Sequence, residues 1–198
     1  MASDSGATYD EPLQLALRVV HILEDLGVDS WIGGSLASSI FGIPRATQDA
    51  DIIADLPLEL AQPLVERLGD DFYADTERIA SGIERRSSFN VIHLPTMFKV
   101  DVFIAGQDTW SERVIERRQR VEIDDRGTKV LVTSPEDIVL HKLLWYREGG
   151  HVSDRQWRDA LGVLQVQGER LDRAYLVEMA EQLGISDLLD ELLQEAAI

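Results

Sequence analysis

The chain has 198 residues, 44% hydrophobic and 28% charged, which excludes wholesale disorder and suits one domain or one domain with a small helical annex. It has no cysteine, excluding disulfides, cysteine-based zinc sites, iron–sulfur clusters and thiol catalysis, and only 4 His, too few for a histidine-rich metal site. Its 19 basic against 36 acidic residues leave a net charge of −17, a surface that repels bulk nucleic acid and favours cationic small molecules or a basic protein.

No apolar run approaches the roughly 18 residues of a membrane helix. Residues 1–11 are small and polar without a basic start, so no secretory signal is expected. These readings point to a cytoplasmic protein without membrane contact.

In chain order, residues 1–10 read as a disordered lead. Pro12 opens a helix at a tolerated position and Gly27 closes it, with Leu13, Leu17, Val20 and Leu26 on its apolar face. Trp31-Ile32 reads as a short buried strand, Gly33-Gly34-Ser35 as a turn, and 36–41 as a short helix. Residues 49–54 alternate as a second strand. Residues 57–68 read as a helix in two pieces, because Pro63 cannot sit in an unbroken interior. An edge strand at 72–74 and a helix or loop at 76–86 follow. Residues 89–94 and 98–104 read as an antiparallel hairpin. A charged helix at 110–119 precedes a second hairpin, 120–123 with 129–132, around Asp125-Arg126-Gly127. From Ser134-Pro135-Glu136-Asp137, a capped helix start, the chain reads helical at 135–147, 153–166, 172–183 and 186–196.

Three features carry chemistry together. Gly33-Gly34-Ser35, between a strand and a helix, lets backbone amides approach a phosphate. Asp49 and Asp51, two apart in a strand, share one face and repel each other unless a cation sits between them; such a pair suits Mg²⁺ with phosphate and water as further ligands. Asp101, in Lys99-Val100-Asp101-Val102-Phe103, sits poorly in a strand interior without a partner or a function. In that order they describe a two-metal phosphoryl-transfer site.

The chain resembles the nucleotidyltransferases of the DNA polymerase β superfamily. Their signature is hG[GS], a short spacer, [DE]h[DE]h and a third acid on a later strand; Gly34, Ser35, Asp49, Asp51 and Asp101 match it. Arg45-Ala46-Thr47-Gln48-Asp49 resembles the R-x-T-x-D of the bacterial AbiEii-like subgroup. Glu136-Asp137, Lys142 and Arg158-Asp159 resemble that subgroup's E-D…K…[RK]-D. Where some members carry a further Asp after the last motif, this chain has Gly162.

The resemblance implies an α/β fold, a minimal nucleotidyltransferase core with a short mixed sheet over 11–132, then a helical C-terminal region over 133–198. It implies transfer of a nucleoside monophosphate from an NTP to an acceptor hydroxyl. Asp49, Asp51 and Asp101 would hold two Mg²⁺ ions, and Asp101 would take the acceptor proton. Gly33, Gly34 and Ser35 would grip the β- and γ-phosphates, and Lys142 would offset triphosphate charge or else be a solvated helix lysine. Arg45 would hold a phosphate or pair with Asp49 or Asp51, and Asp159 would cap or pair with Lys142. The acidic surface favours a small-molecule or protein acceptor over nucleic acid. Arg85-Arg86, Arg113 and Arg117-Arg118 read as solvated faces, or as a basic strip for an RNA end if they converge on the acids. His93 and His141 have no ligand-like company, and Trp145, Tyr146 and Trp157 read as core or a dimer seam. The alternatives are a toxin with a protein antitoxin, or a non-catalytic nucleotide-binding module.

Overall fold

The computed structural model describes residues 10–124 and 127–197; residues 1–9 of the expected lead at 1–10 and the hairpin residues Asp125 and Arg126 lie outside them, and Asp10, the last residue of that lead, is instead the first of a helix. The described residues form seven strands in one mixed sheet and nine α-helices, the α/β class expected.

Helix α1 (Asp10–Asp25) buries Leu17, Val20 and Leu23 against strands β1 (Ser30–Ile32), β2 (Asp49–Ala54) and β5 (Phe98–Ile104). Between β1 and β2 lies α2 (Gly34–Phe41). A 3₁₀ turn at Leu58–Leu60 precedes α3 (Ala61–Leu68), so the break falls just before Pro63, which then occupies the first turn, where a missing N–H costs nothing. Strand β3 (Phe72–Tyr73) forms the expected edge. Helix α4 (Thr76–Glu84) begins on Asp75, whose side chain accepts from the Arg78 amide at 2.9 Å.

Strands β4 (Ser88–His93) and β5 are the first hairpin; α5 (Thr109–Arg117), β6 (Gln119–Glu122) and β7 (Lys129–Val132) follow. The sheet order is β3-β4-β5-β2-β1-β7-β6, with β2–β5 and β1–β7 parallel and the rest antiparallel. Ser134 caps α6 (Pro135–Glu148) as its sequence predicts: its hydroxyl accepts from the Asp137 amide at 3.1 Å. Helices α7 (Asp154–Gln167), α8 (Arg173–Gln182) and α9 (Ser186–Ala196) complete the chain. Among the described residues, no helix is long and apolar enough to cross a membrane.

Period-two burial divides the faces of the central strands. Ala50, Ile52 and Ala54 of β2 and Val100, Val102 and Ile104 of β5 point into the core beneath α1. Asp49, Asp51 and Ile53, and Lys99, Asp101 and Phe103, occupy the opposite, half-buried face. That face carries the three acids singled out in the sequence.

Helices α2 and α7 cross where two glycines meet. A Cβ on Gly42 would stand 2.8 Å from the Val163 amide nitrogen, and one on Gly162 would stand 3.2 Å from the Ile43 nitrogen. The crossing therefore has no room for the further Asp that some AbiEii-like sequences place at the position of Gly162.

Candidate active site

Strand β1 ends at Ile32, and the Gly33 amide still donates to the Asp51 carbonyl at 2.9 Å, which fixes the turn to β2. Gly34 then takes φ +52°, and a Cβ there would stand 1.7 Å from Asp51 Oδ2. Only glycine lets the backbone lie this close to the carboxylate. The Ser35 amide, at the start of α2, donates to the same Oδ2 at 3.3 Å. The Gly-Gly-Ser turn is thus draped directly over the second acid of the pair.

Asp49 is held by Thr47, whose hydroxyl donates to its Oδ1 at 3.0 Å. Asp51 stands opposite Asp101 in the parallel β2–β5 register, so the three acids share one sheet face. Asp101 is not paired with an arginine; Lys99 Nζ reaches its Oδ2 at 2.6 Å. Residues two apart on a strand share a face, so the Lys99–Asp101 spacing itself carried this signal. Burial pushes the Asp51 carboxyl above the usual range, and Asp49 and Asp101 add to that, against the Ser35 amide.

Arg45 departs from both expected salt bridges. Its guanidinium grips Asp159 rather than Asp49 or Asp51, at 2.7 and 2.8 Å, and also donates to the Ser35 hydroxyl at 2.7 Å. Lys142 is not a solvated helix lysine: it is 2% exposed, and Nζ lies 2.9 Å from Asp159 Oδ2. Burial draws its ammonium below the usual lysine range, against the pull of Asp159. Asp159 of α7 therefore ties α6 and the segment after α2 to the turn at Ser35.

Of the arginines expected as solvated, Arg85 is exposed, whereas Arg86, Arg113, Arg117 and Arg118 are engaged elsewhere. Arg117 lies over the Tyr175 ring and pairs with Glu136 and Asp172; Arg118 covers the Trp31 ring and pairs with Asp29; Arg113 pairs with Glu178. Arg86 donates to the Ala105 carbonyl. None of them lines either cavity at the acids. His141 has company that the sequence did not signal: it stacks on Trp110 at 4.4 Å, and its Nδ1 lies 2.8 Å from the Asp137 carbonyl. Trp145 lines the cleft, and Tyr146 packs on Trp157 at 5.2 Å.

Two cavities meet at Asp51, Lys142, Phe103 and Trp145. The smaller, about 250 Å³, is bordered also by Ser35, Asp49, Arg155 and Gln156. The larger, about 300 Å³, extends over Trp31, Ile53 and Trp110 to His141.

Among the described residues, no three His, Asp or Glu side chains are grouped so as to hold a metal ion, and Asp101 pairs with Lys99. The donor set nonetheless fits a hard cation. Asp49 and Asp51 are neighbouring oxygen donors bordering one cavity, and Mg²⁺ takes one or two carboxylates plus phosphates and water.

No protein-family model matches the chain, and no curated protein aligns with it significantly. Solved structures do match. An antigenic nucleotidyltransferase-like protein from Paracoccidioides brasiliensis aligns with TM-score 0.52 and 19% identity, over 89% of this chain and 92% of that one. The ANT(2'')-Ia structure in complex with adenylyl-2''-tobramycin aligns with TM-score 0.59 and 14% identity, over 86% and 98%. The lincosamide antibiotic adenylyltransferase LnuA, bound to lincomycin, aligns with TM-score 0.52 and 12% identity, over 77% and 96%. Identities this low establish likeness of fold: the chain has the nucleotidyltransferase fold.

Proposed function

We propose that this protein transfers a nucleoside monophosphate from an NTP to the hydroxyl of a small acceptor. The observation that carries this reading is the Gly-Gly-Ser turn lying on Asp51, with Asp101 beside it in register. The acceptor oxygen bonds to the α-phosphorus, the bond from that phosphorus to the bridging oxygen breaks, and pyrophosphate leaves with the electron pair. The hydroxyl proton goes to Asp101.

Asp49 and Asp51 would hold two Mg²⁺ ions, with Asp101 sharing the one nearer the acceptor. When bound, Mg²⁺ neutralises triphosphate charge and makes the acceptor hydroxyl more acidic. The turn at Gly33, Gly34 and Ser35 would bind the β- and γ-phosphates through the Gly34 amide and the Ser35 hydroxyl, because the Gly33 and Ser35 amides already donate to Asp51. Lys142, already buried beside Asp51, and Arg45, at the Ser35 hydroxyl, supply the fixed positive charge.

The motif pieces resembling the AbiEii-like subgroup, Arg45 and Asp159, bind each other, which supports that relationship. A small acceptor is preferred over an RNA end because Arg113, Arg117 and Arg118 are each paired with a carboxylate. Two structural neighbours are named for adenylyl transfer to antibiotics or a product of it, which supports the same class of acceptor.

The test is NTP binding by calorimetry in Mg²⁺ and in EDTA, followed by transfer of α-phosphate label from each NTP to RNase-treated lysate and to tRNA. Metal-dependent binding, with label on small molecules or protein, is expected. Equal affinity in EDTA overturns the metal-dependent reaction, and label on tRNA alone overturns the acceptor class.

A further inference from the structure

We propose that the larger cavity is the acceptor subsite and that it takes an uncharged molecule carrying a flat ring and a hydroxyl group. This deepens the nucleotidyl-transfer reading and rests on it.

The sheet arranges the reacting groups in rows. Asp49 and Lys99 share one row, Asp51 and Asp101 the next, and Ile53 and Phe103 the third, with Trp31 opposite Ile53 on β1. Rows on one face are two residues apart, roughly 6–7 Å. Ser35, Asp49 and Arg155 border only the smaller cavity, toward the first row, while Trp31 and Ile53 of the third row, with Gly33 and Gly34, border only the larger one. Asp51, Phe103, Lys142 and Trp145 border both. Displacement at phosphorus places the attacking and leaving oxygens on opposite sides. With pyrophosphate drawn to the polar end at Ser35, the attacking hydroxyl enters from the third-row end, which is the larger cavity.

The cavity walls select the chemistry. Trp110 and His141 stack at 4.4 Å and 29° over the apolar third row, a surface suited to a flat ring. Each charged group in the wall is already committed. Asp108 caps α5, accepting from the Trp110 and Ser111 amides at 3.0 Å and from the Ser111 hydroxyl at 2.6 Å. Lys142 is bound by Asp159, and Asp51 accepts from Ser35. Against the Asp137 carbonyl, His141 Nδ1 must carry a proton, which leaves Nε2 as an acceptor in the neutral ring. Apart from Asp51 and Lys142, which serve the nucleotide, the wall leaves no carboxylate for a polycation and no base for further phosphates. An uncharged molecule with a flat ring is what these walls accept. A volume of about 300 Å³ suits such a ligand.

The test uses three probes: phenyl β-D-glucoside with ring and hydroxyls, methyl β-D-glucoside with hydroxyls alone, and tobramycin as polycation. Three of the 4 tryptophans line the cavity, so intrinsic fluorescence reports binding without nucleotide. Phenyl glucoside is expected to bind roughly tenfold tighter than the other two, the scale of one aromatic stacking contact. It should bind equally well beside saturating NTP and Mg²⁺, and should take the label in the transfer assay. Trp110→Leu should lose the ring preference while keeping wild-type NTP affinity, which shows that the variant's site is folded. Equal binding of the two glucosides, or tighter binding of tobramycin, overturns the inference. Competition between phenyl glucoside and NTP also overturns it, making the cavity a nucleobase pocket. Ring binding beside NTP without label transfer to any probe overturns the transfer reading and leaves the ring preference standing. Label passing equally to all three probes does the reverse.

Discussion

Arg45 and Asp159, 114 residues apart, are joined by two hydrogen bonds of 2.7 and 2.8 Å. The same carboxylate takes Lys142 Nζ at 2.9 Å, and both ends of that pair are almost wholly buried. Asp159→Ala therefore strands a buried ammonium, and a loss of about 3–5 kcal/mol is expected in urea denaturation. Asp159→Leu combined with Lys142→Met should recover part of it, because the buried ammonium is gone while Arg45, which is partly exposed, loses its partner to solvent. A single variant as stable as wild type would show that the network does not hold the helices to the turn.

The same group sets an acid limit. Burial opposes ionisation of Asp159, yet Arg45 and Lys142 together hold its carboxyl below the ordinary range. A depressed carboxylate contributes stability above its unfolded value of about 3.9 and loses it as pH falls through the folded value. Urea midpoints of wild type and Asp159→Asn should thus differ at neutral pH and converge as the pH falls below the ordinary carboxylate range. A constant difference across that range would assign the stabilisation to packing.

Asp51 behaves in the opposite sense. Its carboxyl is held above the ordinary range first by burial and then by Asp49 and Asp101, so its charge at neutral pH opposes folding. Asp49→Asn with Asp51→Asn should melt higher than wild type in EDTA, by ~2–4 °C if about 1 kcal/mol of repulsion is removed. Mg²⁺ should raise the wild-type melting temperature and leave the variant unmoved. A variant that melts lower in EDTA would make these acids structural.

Asp101→Asn should spare NTP binding and cut transfer by about 10²–10⁴, the range for losing a positioned base. Lys99 would lose its 2.6 Å partner, so the variant's melting temperature should be measured beside its rate. Full activity would remove Asp101 from the reaction.

Gly34→Ala tests the turn. An L-residue at φ +52° costs roughly 1–2 kcal/mol. Its Cβ would also displace the Asp51 carboxylate, 1.7 Å from its position. Loss of NTP binding with a retained circular dichroism spectrum is the expected result. Unchanged binding would separate the turn from the phosphates.

Local pattern was enough for much of this protein. The alternation at 49–54 and 98–104 placed both acid-bearing strands because burial on a sheet has period two, and Ser134-Pro135 placed α6 because a helix start needs a cap and tolerates proline. The two-residue spacings put Asp49 with Asp51 on one face without any knowledge of the tertiary structure. Those are properties of neighbouring residues, and sequence records neighbours. The partner of Arg45 was not readable, since Asp49, Asp51 and Asp159 are equivalent carboxylates until chain packing selects one. The burial of Lys142, and the meeting of Trp31, Ile53, Phe103, Trp110 and His141 around one cavity, join segments far apart in the chain. Only the crossing of α2 and α7 at Gly42 and Gly162, and the closing of α5 and α6 over the sheet, brings those groups within van der Waals and hydrogen-bonding reach.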